Sequence, residues 1–99
     1  MPSYEPTIHR TAKRELDALD TDEREQLTDA IVDVSGHRKP TEHSSVTILE
    51  GQDGLYRLRV GDLRAVLQLD KPELKVLRVG HRANVYDMID EIDERRASV

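Results

Sequence analysis

The chain has no cysteine, no phenylalanine and no tryptophan, and only three tyrosines among its 99 residues. Without cysteine there is no disulfide, no thiolate nucleophile and no thiolate metal ligand, a composition that fits a reducing compartment. Without Phe or Trp, a core must be assembled from Leu, Val and Ile, and a chain of this length suffices for one such core but not for two. No apolar run approaches the ~18 residues that would suggest a bilayer-spanning helix, and the N-terminus carries no signal-peptide pattern. The expectation is a single cytoplasmic domain over residues 1–99 with no membrane partner. Histidine is also scarce. His37 and His43 stand in a polar loop with neither cysteine nor helical spacing to join them, so no metal and no other cofactor is expected.

Lysine is the next shortage: only four of the 15 basic residues are lysines, and 20 acids bring the chain to a net charge of −5. Asp-rich, Lys-poor surfaces resemble those of proteins from salt-loving organisms. A −5 chain is a poor partner for nucleic acid unless its positive charge is concentrated locally. Here it is. Residues 55–86 hold seven bases (Arg57, Arg59, Arg64, Lys71, Lys75, Arg78, Arg82) against three acids, a local +4 that leaves −9 on the remainder.

The same stretch has the clearest pattern. The alternating runs Leu55–Val60 and Leu63–Leu69 are separated by Gly61-Asp62, and a third run, Leu74–Val79, follows a break containing Pro72. Period-two alternation punctuated by Gly and Pro predicts a three-stranded antiparallel meander. Upstream, Ser3 to His9 reads as a strand that Pro6 confines to an edge or makes irregular. Thr11 offers an N-cap to a helix whose stripe is Ala12, Leu16 and Leu19. Asp20 or Thr21 caps a second helix, with Glu23 at the reciprocal capping-box position if Asp20 is the cap. Its buried stripe is Leu27, Ala30, Ile31 and Val34, and Gly36 closes it. Residues 37–45 read as a loop and Val46–Leu49 as a strand. Asn84 can cap a last helix with Val85, Met88, Ile89 and Ile92 on its apolar side. The predicted fold is α+β: an N-terminal strand, an antiparallel helical hairpin, an antiparallel sheet meander and a short C-terminal helix.

Alternation assigns the faces of the sheet. Tyr56, Leu58, Val60, Leu63, Ala65, Leu67, Leu77 and Val79 are expected toward the helices, and Arg57, Arg59, Arg64, Val76 and Arg78 toward an uncovered side. Clustered arginines repel one another unless an anion sits among them, and guanidinium forks match phosphate.

Tyr56-Arg57-Leu58-Arg59-Val60-Gly61-Asp62-Leu63-Arg64, followed by Leu77-Arg78-Val79-Gly80-His81-Arg82 and Val85-Tyr86, resembles the RelE/ParE toxin superfamily on its RelE side, here with the surface composition of a salt-loving archaeal type. The N-terminal strand and the segment Ala12-Lys13-Arg14-Glu15-Leu16 fit the same pattern, so the resemblance covers nearly the whole chain. It implies a small α+β toxin that cuts mRNA on the ribosome without a metal, represses translation and is silenced by a cognate antitoxin. Carried over by motif, Arg64 and Arg82 are the pair that stabilises the phosphate, and Tyr86 touches or stacks on the RNA. Arg57, Arg59, Arg78 and His81 are expected to contact RNA. Leu63 and Leu67 stand where many relatives carry tyrosine, which leaves Tyr86 as nearly the only stacking candidate. Two alternatives remain open: a ParE-like toxin that inhibits gyrase, and a RelE-fold binding protein that has lost catalysis.

Overall fold

A computed structural model describes residues 4–48 and 54–81. In chain order these form strand β1 (Glu5–Ile8), helices α1 (Arg10–Asp17) and α2 (Thr21–Ser35), one 3₁₀ turn (Pro40–Glu42), and strands β2 (Val46–Ile48), β3 (Leu55–Val60), β4 (Leu63–Asp70) and β5 (Glu73–His81). The strands make one sheet in the order β1-β5-β4-β3-β2. The meander is antiparallel, as expected, but β1 pairs parallel to β5, with Glu5 opposite Glu73 and Ile8 opposite Val76. The α+β class stands, with a mixed sheet. The helical hairpin between β1 and the meander brings the chain back so that β1 lies at the edge of the last strand. Edge placement also accommodates Pro6, which cannot donate to a ladder.

The helices dock through the predicted stripes. Ala12, Leu16, Leu27, Ile31 and Val34 are buried against Val46, Leu58, Leu63, Ala65, Leu67, Leu74, Val76 and Val79 of the sheet, with Tyr4 and Tyr56 packed at the margin. The helix ends differ from the sequence expectation. Nδ1 of His9, rather than Thr11, caps α1 by accepting from the Thr11 N–H at 3.1 Å. Asp20 occupies the N-cap position of α2 but makes no side-chain cap bond, so the reciprocal pairing with Glu23 does not form. Gly36 ends α2 at φ −78°, a right-handed conformation that does not require glycine.

One expectation about the faces is overturned. The register between β4 and β5 pairs Val66 with Arg78 and Leu67 with Val76, so Leu77 is an extra residue on β5. This bulge shifts the phase of the strand. Val76 therefore joins the helix-side core, while Leu77 packs on the other face against Leu55 and Val66. Leu55 and Val66 are 0% exposed, so the face away from the hairpin is itself buried at its centre.

Gly61 opens the β3–β4 turn at φ +58°, with open space around the position of a Cβ. The obstacle to another residue here is backbone strain rather than collision. Gly61→Ala is expected to lower stability by about 1–2 kcal/mol, and Gly61→Asn by less, because asparagine tolerates the left-handed region. Urea unfolding midpoints of the two variants check this.

Candidate nucleic-acid interface

The antiparallel registers set the arginines in two rows across the sheet. Arg59 stands opposite Arg64, which stands opposite Gly80; Arg57 stands opposite Val66, which stands opposite Arg78. The β-carbons of Arg57, Arg59 and Arg64 thus start from one face, as alternation requires. What their guanidinium groups do is less uniform.

Arg59 is exposed and Arg57 half-buried. The Nε of Arg57 is buried without a hydrogen-bond partner. A buried donor left unmade costs about 1–3 kcal/mol, more when the group is charged. Arg64 is only 9% exposed, contrary to the solvent-facing placement expected of it. Its Nη1 donates to the carbonyls of Gly61 at 2.7 Å and Leu63 at 2.8 Å. Directly opposite like charges destabilise a strand pair, and anchoring Arg64 to the turn draws its guanidinium toward carbonyl dipoles. The turn carbonyls fix one corner of the Arg64 fork beside Arg59.

Arg78 is engaged by the hairpin. It is 9% exposed, and its Nε and Nη2 donate to the two carboxylate oxygens of Glu15 on α1, at 2.9 and 2.7 Å. The bulge at Leu77 and the end of β1 leave this part of β5 beside α1, where an acid is available. His81 is likewise diverted. It pairs with Leu63, a residue of the helix-side core, and its Nε2 lies 3.1 Å from Oε2 of Glu23 on α2. Arg78 and His81, expected to contact RNA, both face carboxylates of the hairpin in this structure. Of the remaining bases, Lys75 contacts Asp70 at 3.1 Å and Glu73 at 3.8 Å, and the hydrogen bond and charge of Asp70 raise its pKa. Arg82 and Tyr86, like the helix expected after Asn84, lie outside the described residues.

Glu15 and Glu23 were not singled out as site residues from the sequence. They are 63 and 58 positions from their partners, and neither sits in a recognisable spacing.

The fold also assembles a group that the sequence left scattered. Ligand atoms of Asp33, His37 and His43 lie within 4.8 Å of one another. The Ser45 N–H donates to Nδ1 of His43 at 3.1 Å, so the neutral ring carries its proton on Nε2, 2.9 Å from Oδ2 of Asp33. A metal on Nε2 would force the proton onto Nδ1, against the Ser45 N–H. Hydrogen bonding of the loop back to α2 accounts for the cluster, and no metal is assigned to it. Among the described residues no helix is long and apolar enough to cross a membrane.

The site is thus a mixed five-stranded sheet backed by a helical hairpin, with arginines on β3 and β4 flanking a two-residue turn. The chain belongs to the family of ParE toxins of type II toxin-antitoxin systems, whose model matches residues 7–86. Its structure is similar to a variant of Escherichia coli toxin RelE in the free state, with a TM-score of 0.75 and 25% identity over 96% of this chain and 98% of that one. It is also similar to a chain of the RelBE2 toxin-antitoxin complex of Mycobacterium tuberculosis, with a TM-score of 0.69 and 26% identity over 84% and 95% of the two chains. A chain of the RelB-RelE complex of Methanococcus jannaschii shares the fold at a TM-score of 0.67 and 20% identity, over 81% and 94%. No curated protein matches by sequence.

Proposed function

We propose that the protein is a RelE-type toxin: a cytoplasmic endoribonuclease that cuts mRNA on the ribosome, represses translation and is held inactive by a cognate antitoxin. The observation that carries this reading is the set of three arginines, Arg57, Arg59 and Arg64, that β3 and β4 start from one face of the sheet. RNA phosphate supplies acceptor oxygens for such a set. Solved relatives of this fold include complexes of RelE-type toxins with their antitoxins, which supports the same kind of partner here.

The chemistry follows from the side chains available. The 2′-hydroxyl of the RNA attacks the adjacent phosphorus and gives its proton to water, the bond from phosphorus to the 5′-oxygen breaks, and that oxygen departs to be protonated by water. Arg57, Arg59 and Arg64 would stabilise the negative charge that accumulates on the phosphorane, with Arg82 completing the set by its place in the motif. Arginine stays protonated, so none of these residues serves as a general base. His81 is turned toward Glu23, with Nε2 3.1 Å from its Oε2. Catalysis in this reading is chiefly electrostatic and positional, with Tyr86 stacking on a base.

Two tests follow. Induced protein should arrest translation and leave mRNA cut within ribosome-occupied codons. Tyr86→Phe, which keeps the ring, should retain most of the single-turnover cleavage rate, whereas Tyr86→Ala should lose it and His81→Gln should leave it nearly unchanged. A Tyr86→Phe rate as low as that of Tyr86→Ala would make the hydroxyl, not the ring, the working part.

A second reading has its own support. The matching family model is that of ParE toxins, which favours a toxin acting on gyrase without cutting RNA. DNA damage with translation intact would select it over ribosome-dependent cleavage.

A further inference from the structure

We infer that Glu15 is a positioning residue: its carboxylate takes the place of a neighbouring strand at the end of β5, and so seats that strand against β4 where Gly80 stands opposite Arg64. The inference rests on the RNA-cleaving reading above.

The parallel ladder between β1 and β5 stops at Ile8 opposite Val76, and the last backbone bond along it is donated by the His9 N–H to the Val76 carbonyl. Beyond that point this edge of β5 borders α1. An edge donor without a strand partner normally goes to water or to another chain. The Val79 N–H goes instead to Oε1 of Glu15, at 3.2 Å. The same oxygen accepts from Nε of Arg78, and Oε2 accepts from Nη2. One carboxylate therefore satisfies a backbone donor and both prongs of a guanidinium on consecutive residues.

Glu15 is held by its helix. Ala12 and Leu16, one turn behind it and next to it, are both buried in the core, so α1 offers the carboxylate from a fixed platform. Two residues beyond Val79, Glu23 of α2 engages His81 in the same manner. The stretch 78–81 is thus tied to both arms of the hairpin by acids. A group that must meet a reacting phosphate has to be placed within about 0.5 Å, and the clamp on 78–81 steadies the strand that pairs with β4 at Arg64, opposite Gly80.

The test measures amide hydrogen exchange at Val79, ribosome binding and single-turnover mRNA cleavage in the full chain and three variants. Glu15→Gln keeps an acceptor for the Val79 N–H and should retain its protection and most of the rate. Glu15→Ala should expose Val79 and lower the maximal cleavage rate by up to ~10²-fold, with ribosome binding unchanged. Because Glu15→Ala strands Arg78 and can fail to fold, the double variant Glu15→Met with Arg78→Met replaces the pair with apolar volume. It should fold, yet show fast exchange at Val79 and the same loss of maximal rate. Unchanged exchange at Val79 in the double variant would overturn the contact. Fast exchange with an undiminished rate would overturn the positioning role. If the wild-type protein cuts no RNA, the functional reading falls and the positioning role with it, while exchange at Val79 still decides the contact.

Discussion

Arg78→Ala is expected to lower the unfolding free energy by about 3 kcal/mol, the lower end of the range for breaking a buried ion pair by removing one partner. The lower end applies because the Glu15 side chain keeps 23% of its exposure and is partly screened by water. The loss does not come from the missing attraction alone. The carboxylate of Glu15 stays behind, held near Val79 by its helix, with the two hydrogen bonds from Arg78 gone and the one from the Val79 N–H remaining. For a domain whose whole stability is about 5–15 kcal/mol, that is a large fraction. Arg78→Lys should recover part of it, since an ammonium keeps the charge but cannot meet both oxygens as a planar fork. Urea unfolding monitored by circular dichroism gives the three midpoints. A midpoint for Arg78→Ala within error of the wild type would mean that Glu15 is equally content with solvent.

The largest effect on activity is expected at Arg57 and Arg64, and the two should differ in what else they disturb. Arg57 has a buried Nε without a partner, so its removal takes away an unsatisfied donor and should leave stability unchanged or slightly raised. Arg64 holds the carbonyls of Gly61 and Leu63, and Arg64→Ala should cost about 1–3 kcal/mol of stability by unpairing the turn. Both variants should lose ~10²-fold or more in single-turnover cleavage of ribosome-bound mRNA, as for removal of a preorganised donor from a developing anion. Arg64→Lys should restore little, because a point charge cannot hold the turn and meet phosphate together. Activity lost only in proportion to unfolded protein would assign Arg64 to the turn alone.

These expectations invert part of what the arginine pattern suggests by itself. Alternation along Leu55–Val60 and Leu63–Asp70 correctly placed Arg57, Arg59 and Arg64 on one face, since the pleat leaves no other choice within an unbroken strand. The same rule failed on β5. Val76 and Leu77 are adjacent apolar residues, which two alternating phases can each absorb, and only pairing with Val66 and Leu67 shows that Leu77 is the inserted one. An apolar doublet inside an alternating run is the one local sign of such a bulge. The cap of α1 was displaced for a related reason: Thr11 suits a helix start by residue type, but the docking of β1 on β5 carries the strand as far as His9 and the helix begins there.

By itself the sequence determined the α+β class, the hairpin stripes from Ala12 to Val34, the meander with its Gly61 turn, and a basic stretch within an acidic chain. All of these rest on interactions between residues a few positions apart, where periodicity and charge can be counted. Only the tertiary structure decided the parallel seat of β1, the burial of Arg64, and the capture of Arg78 by Glu15 and of His81 by Glu23. Each of these joins groups according to which strand edge or helix face the fold brings alongside. Guanidinium or imidazole beside a carboxylate exchanges water for a fixed partner whenever one comes within reach, and reach across about 60 residues is a property of the packed molecule.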